Sequence, residues 1–114
     1  MTESQLETFN KIHEKRFGYL QRLEVTNHIF ETGASRFSVG MQLREDLSPE
    51  NAALSFLFED VTELRLGDLN GLMFFSVHIS DMSTWQRERT RFKVVEYEHS
   101  AFSFYCYSFE FKVV

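Results

Sequence analysis

The sequence holds a single cysteine, Cys106, so no disulfide can form within the chain and nothing argues for an oxidising compartment. It holds a single proline, Pro49, and no low-complexity tract, repeat or linker-like stretch is visible. No apolar run approaches the roughly 20 residues of a membrane helix. The longest candidate, "LMFFSVHI", is broken by Ser76 and His78. The N-terminal "MTESQLETFNKIHEKRF" lacks the apolar segment of a secretory signal. The expectation is a cytoplasmic protein with no membrane partner.

Basic charge is also scarce. The net charge is −5, which argues against direct binding of nucleic acid, since that relies on Lys and Arg neutralising phosphates. It favours attraction to a basic partner. Seven acids lie between Arg44 and Asp68, namely Glu45, Asp46, Glu50, Glu59, Asp60, Glu63 and Asp68, against Arg44 and Arg65. That stretch carries an excess of acid as large as the charge of the whole chain. It is either a solvated edge or an acidic docking surface.

What is present in quantity is phenylalanine, 13 residues in 114, with 43% hydrophobic and 25% charged residues overall. This is the composition of one globular domain over residues 1–114 with an aromatic core. Ser4 and Glu7 fit a capping box, and Leu6, Phe9, Ile12 and His13 then recur near one face until Gly18. A helix is therefore predicted over about residues 4–17.

Strand patterns follow. "YLQRLEVTNHIF" and "RFSVGMQLRE" flank the turn signal "ETGAS", and Phe37, Val39, Met41 and Leu43 alternate onto one face. "AALSFLFED", "VTELRLG", "LMFFSVHISD", "ERTRFKVVEYE" and "AFSFYCYSFEF" continue the series. The fold class expected is α+β, mainly β: an N-terminal helix with about six or seven mostly antiparallel strands in a curved sheet or sandwich.

The last of these segments is aromatic on both faces if it alternates strictly. Phe102, Phe104 and Cys106 would face one way, and Tyr105, Tyr107, Phe109 and Phe111 the other. A two-residue loop at His99-Ser100 would set Glu98 against Ala101, Glu96 against Ser103, Val94 against Tyr105 and Phe92 against Tyr107. A three-residue loop would exchange these partners.

No catalytic or cofactor motif appears. The histidines lack metal-site spacing, and His78 with Asp81 falls short of the three or four ligands a zinc site needs. Cys106 lies between tyrosines on a strand and reads as a structural thiol. Glu96 and Glu98 read as solvated acids beside a loop. Arg87, Arg89, Arg91 and Lys93 read as charges guarding an edge strand. The expected metals, cofactors and catalytic residues are none.

Val61, Leu64 and Leu66, "HISD" ahead of Trp85, Val94, Glu96 and Glu98 in "FKVVEYE", and Phe104, Cys106, Phe109 and Phe111 form a rhythm over the C-terminal half. In this the chain resembles small bacterial immunity proteins that neutralise polymorphic or contact-dependent toxins. The resemblance implies a non-enzymatic cytosolic inhibitor that binds a cognate toxin domain. Many such toxins are nucleases with basic clefts, which an acidic surface would match. The expected partner-binding residues are Glu45, Asp46, Glu50, Glu59 and Asp60, with Trp85 and Tyr107 as aromatic anchors. The alternative is a β-domain that binds a small ligand or single-stranded nucleic acid on the C-terminal aromatic sheet.

Overall fold

A computed structural model of the chain describes residues 6, 7, 9, 17–46, 48, 52–67, 69, 75–82 and 90–114. Its elements are seven strands: β1 (Tyr19–Ile29), β2 (Ser35–Arg44), β3 (Ala53–Leu66), β4 (Val77–Asp81), β5 (Phe92–Glu96), β6 (Phe102–Cys106) and β7 (Ser108–Val113). Every strand pair is antiparallel. They form one sheet in the order β1-β2-β3-β6-β5-β4, with β7 also paired to β3. The mainly β expectation therefore holds. The helix predicted over residues 4–17 does not stand among the described elements, because most of that stretch lies outside the described residues.

β1 and β2 form the expected hairpin. Phe30 N–H donates to Ala34 O and Gly33 N–H to Phe30 O, both at 2.9 Å, across the loop Glu31-Thr32-Gly33. Gly33 has φ of +88°, the left-handed conformation that the third residue of such a loop requires.

β3 joins the two runs that the sequence shows separately. It stays continuous by means of two irregularities, one between Phe37/Val61 and Ser38/Glu59 against β2, the other between Thr62 and Arg65 against β6. Asp60 (φ 57°) and Glu63 (φ 53°) take the left-handed conformation there. Such bulges bend a strand and increase its twist. The first half of β3 pairs with β2 and β7, and the second half with β6.

β6 and β7 lie end to end along β3, and the strand alternation is interrupted between them at Tyr107. The register runs from Thr62–Tyr105 to Glu59–Ser108, with Asp60 and Val61 opposite Cys106 and Tyr107. This corrects the two-faced reading of "AFSFYCYSFEF". Phe102, Phe104, Cys106 and Phe109 are all buried, and Phe111 packs against the same core. The alternation breaks on both strands there, so Phe109 and Phe111 return to the side of Phe104 instead of facing away. Phe58 touches both halves: its ring centroid is 5.0 Å from Phe104 and 6.0 Å from Phe109. Phe9, from the N-terminal segment, closes the other end at 5.4 Å from Phe56 and 6.0 Å from Phe111.

The β5–β6 hairpin differs from its expected register by one residue. Phe92 opposes Cys106, Lys93 opposes Tyr105, Val94 opposes Phe104 and Val95 opposes Ser103. Extending that register puts Tyr97 opposite Ala101, with Glu98, His99 and Ser100 between them. Ser100 takes φ of 51°. A serine in place of glycine at this position gave no sequence signal for the longer loop.

The physical reason lies in Glu96, which is fully buried and not solvated as expected. Its Oε1 accepts the amides of His99 at 2.7 Å and Ala101 at 3.1 Å. Its Oε2 accepts those of Ser76 and Glu98, each at 2.9 Å. One carboxylate thus replaces the ladder bonds of the loop. β5 is also no edge strand, since it lies between β4 and β6. Lys93 stands on its outer face with Nζ 5.6 Å from the Tyr105 ring, and Arg91 stacks 5.1 Å from Phe92. Arg87 and Arg89 lie outside the described residues.

Candidate functional site

The bend in β3 positions the site. The amide of Tyr107 donates to the carbonyl of Glu59 at 3.1 Å, which sets the tyrosine against the acids of the bulge. Across the bulge, β2 brings Arg36 to 3.7 Å from Asp60. The Arg36 guanidinium also lies 5.7 Å from the Phe30 ring centre. His28 Nε2 and Ser38 Oγ share a hydrogen bond of 3.2 Å. Together these residues line a shallow cavity of about 320 Å³ that includes Glu59, Asp60 and Tyr107.

The apolar part of this surface is unusually open. Phe30 is 46% exposed, Phe37 44% and Tyr107 54%. Large apolar side chains grouped on a surface and rimmed by charge are the composition of a protein-contact site. Glu59 faces solvent beside them. The arrangement offers rings and carboxylates for contact.

Of the residues singled out from the sequence, the structure brings Glu59, Asp60 and Tyr107 together. Glu45 and Asp46 lie at the other end of β2, on the order of 23 Å away along the seven residues from Phe37 to Arg44 at ~3.3 Å each. Asp46 has a local task there, accepting the amide of Ser48 at 2.9 Å. Arg44 fixes the same turn through Ser48 O at 2.8 Å and Gln21 Oε1 at 3.0 Å. Glu50 and Trp85 lie outside the described residues. Sequence reasoning missed His28, Phe30 and Arg36, whose proximity depends on the hairpin. Phe37 fitted an apolar alternation and read as core, but it is exposed near the turn end of the hairpin.

The aromatic strand is no open stacking platform. Its phenylalanines are buried or packed on the core, Tyr105 is half-buried, and only Tyr107 is exposed. Cys106 is fully buried, and burial pushes its thiol up to about 12, so it is held as a neutral thiol. His78 is engaged through Ser76 Oγ at 3.0 Å and the ring of Tyr97, 4.4 Å away. Among the described residues no group of three or more His, Cys, Asp or Glu is placed to hold a metal ion. No described helix is long and apolar enough to cross a membrane.

The fold and this surface describe a small antiparallel β protein suited to contact another macromolecule. Comparison with known families defines the class: the model of the family Immunity protein PIM8 matches residues 1–112, and the chain belongs to that family. It is thus an immunity protein of a toxin system, a non-enzymatic inhibitor whose partner is a cognate toxin. The match takes in the N-terminal half as well as the C-terminal half on which the sequence resemblance rests. No curated protein and no solved structure matches the chain.

Proposed function

We propose that this immunity protein neutralises its toxin in the cytoplasm by direct binding through an acidic surface centred on Glu59 and Asp60, with Tyr107 as the aromatic anchor. The observation that carries the reading is the meeting of those three residues at the β3 bend, where Tyr107 is bonded to Glu59 and exposed. Tyrosine beside charge is a common composition of the residues that dominate protein interfaces. Phe30 and Phe37 extend the apolar contact. Glu45 and Asp46, with Glu50 close to them in sequence, add acidic charge that acts at longer range on the approach of a basic toxin cleft, such as that of a nuclease.

The test is association kinetics with the toxin domain encoded beside the immunity gene. Glu59→Lys is expected to slow association by about tenfold at low salt, an effect that fades as salt screens it. Tyr107→Ala is expected to speed dissociation and leave association nearly unchanged. The triple reversal of Glu45, Asp46 and Glu50 tests that added charge in the same way. Association rates untouched by both reversals reject the acidic surface while leaving the membership of the family intact.

A further inference from the structure

β1 ends the sheet, and among the described residues no strand pairs with its outer edge. Along this edge Val25 is 41% exposed and Ile29 75%. Because Phe30 N–H bonds to Ala34 across the hairpin, the alternation of an antiparallel ladder points the even-numbered amides from Arg22 to His28 at β2. The amides and carbonyls of Leu23, Val25, Asn27 and Ile29 then point outward. The strand holds no proline, and its one irregularity against β2, at Gln21, lies outside this stretch. A long edge with neither proline nor bulge is a template for another strand.

The side chains of β1 select what that strand is. Two copies joined edge to edge about a twofold axis normal to the sheet keep each residue on its own face. Only registers that oppose residues of the same parity are then allowed. Centring on Leu23 sets Val25 against the irregularity at Gln21. Centring on Glu24 opposes two glutamates. Centring on Val25 sets Arg22 against the second copy's His28. Centring on Asn27 sets Glu24 against the second copy's Phe30. Centring on Thr26 gives the charged residue a complementary partner: Thr26 meets Thr26, Val25 meets Asn27, Glu24 meets the second copy's His28, and Leu23 meets the exposed Ile29. Glu24 and His28 lie on the outer face with Arg22, which already bridges Glu24. Nε2 of His28 is engaged by Ser38, which leaves Nδ1 toward the incoming carboxylate.

We propose that β1 is a self-association edge: two copies of this chain pair antiparallel through β1 about Thr26, each Glu24 against the second copy's His28. The contact uses neither Glu59 nor Tyr107, and although His28 also lines the cavity beside them, self-association is measured without the toxin, so its failure is distinct from failure of the toxin-binding surface.

Sedimentation equilibrium of the full chain over a concentration series tests it, with hydrogen exchange on the same samples. The wild-type protein is expected to show a monomer–dimer equilibrium. On dimerisation the amides of Leu23, Val25, Asn27 and Ile29 should slow, and the intervening ones, already bonded to β2, should not. His28→Glu opposes like charges twice and should weaken the dimer by about tenfold. The double variant Glu24→Lys/His28→Glu restores complementary charge and should recover most of that loss. A chain that stays monomeric at every concentration overturns the proposal. So does a dimer whose strength ignores both variants, or one formed without slowing the four outward amides; those results place any association elsewhere.

Discussion

The amide of Tyr107 and the carbonyl of Glu59 are 3.1 Å apart, and that bond joins the break between β6 and β7 to the bulge in β3. Two irregular positions on neighbouring strands thus sit side by side. The paired break returns Phe109 to the core and leaves Tyr107 exposed.

Strict alternation would place Phe109 and Tyr107 on the same face and make them equivalent. The structure makes them opposites, since Phe109 packs 4.9 Å from Phe92 while Tyr107 is exposed. Phe109→Ala is expected to cost about 3–5 kcal/mol. Tyr107→Ala should cost less than about 1 kcal/mol, as for an exposed position. Urea denaturation of both variants measures the difference, and equal losses contradict the break at Tyr107.

Glu96 ties the β5–β6 loop to the segment before β4. Burial pushes its carboxyl up and is the largest single influence. The amides of Ser76, Ala101, His99 and Glu98 together outweigh it and hold the group below the ordinary glutamate range. A depressed folded-state value means that the charged form stabilises the fold. This contribution is fully present above the unfolded value of about 4.3 and is lost as pH falls through the folded one. Glu96→Ala leaves four amides without their acceptor and should cost about 3 kcal/mol at neutral pH. Below pH ~4 the gap between wild type and variant should narrow. A gap that widens on acidification would show the opposite sign.

Two glycines make a matched pair of tests. A Cβ at Gly67 would meet Ser100 O at 2.8 Å, a backbone atom of the loop that Glu96 holds. Gly67→Ala should therefore destabilise by about 1–3 kcal/mol. A Cβ at Gly40 meets nothing nearer than Glu24 Cβ at 4.0 Å. Gly40→Ala is expected to be neutral or to stabilise by up to about 1 kcal/mol through a less flexible unfolded chain. Thermal melts should show Gly67→Ala lowered and Gly40→Ala unchanged or raised.

Cys106 is shielded by the strand packing around Phe104 and Phe109. Its reaction with an aromatic disulfide reagent at pH 8 should run at the rate at which the core opens, and become rapid in denaturant. Immediate reaction of the native protein would mean that the thiol is accessible.

The candidate site was partly legible before the fold was known. Glu59, Asp60 and Tyr107 stand out as acids in an acid-rich stretch and an aromatic in an aromatic-rich one. Nothing in the sequence places Tyr107 beside Glu59, because the contact spans 48 positions and depends on the β3–β7 register. Glu45 and Asp46 share the acid-rich stretch but lie at the far end of β2. Sequence proximity along an extended strand becomes distance in space at ~3.3 Å per residue. Glu96 was misread because a carboxylate near a loop is ordinarily solvated; only the convergence of four amides makes its burial favourable.

Alternation and turn composition alone determined the antiparallel β class, the β1–β2 hairpin with its glycine turn, and the burial of Cys106 and most phenylalanines. These are local consequences of side-chain period and backbone freedom. The tertiary structure decided where the period breaks, at Asp60, Glu63 and Tyr107, and the β5–β6 register. Both depend on partners distant in sequence. A single-residue shift moves a side chain from the core to the surface, and no local preference is strong enough to specify it.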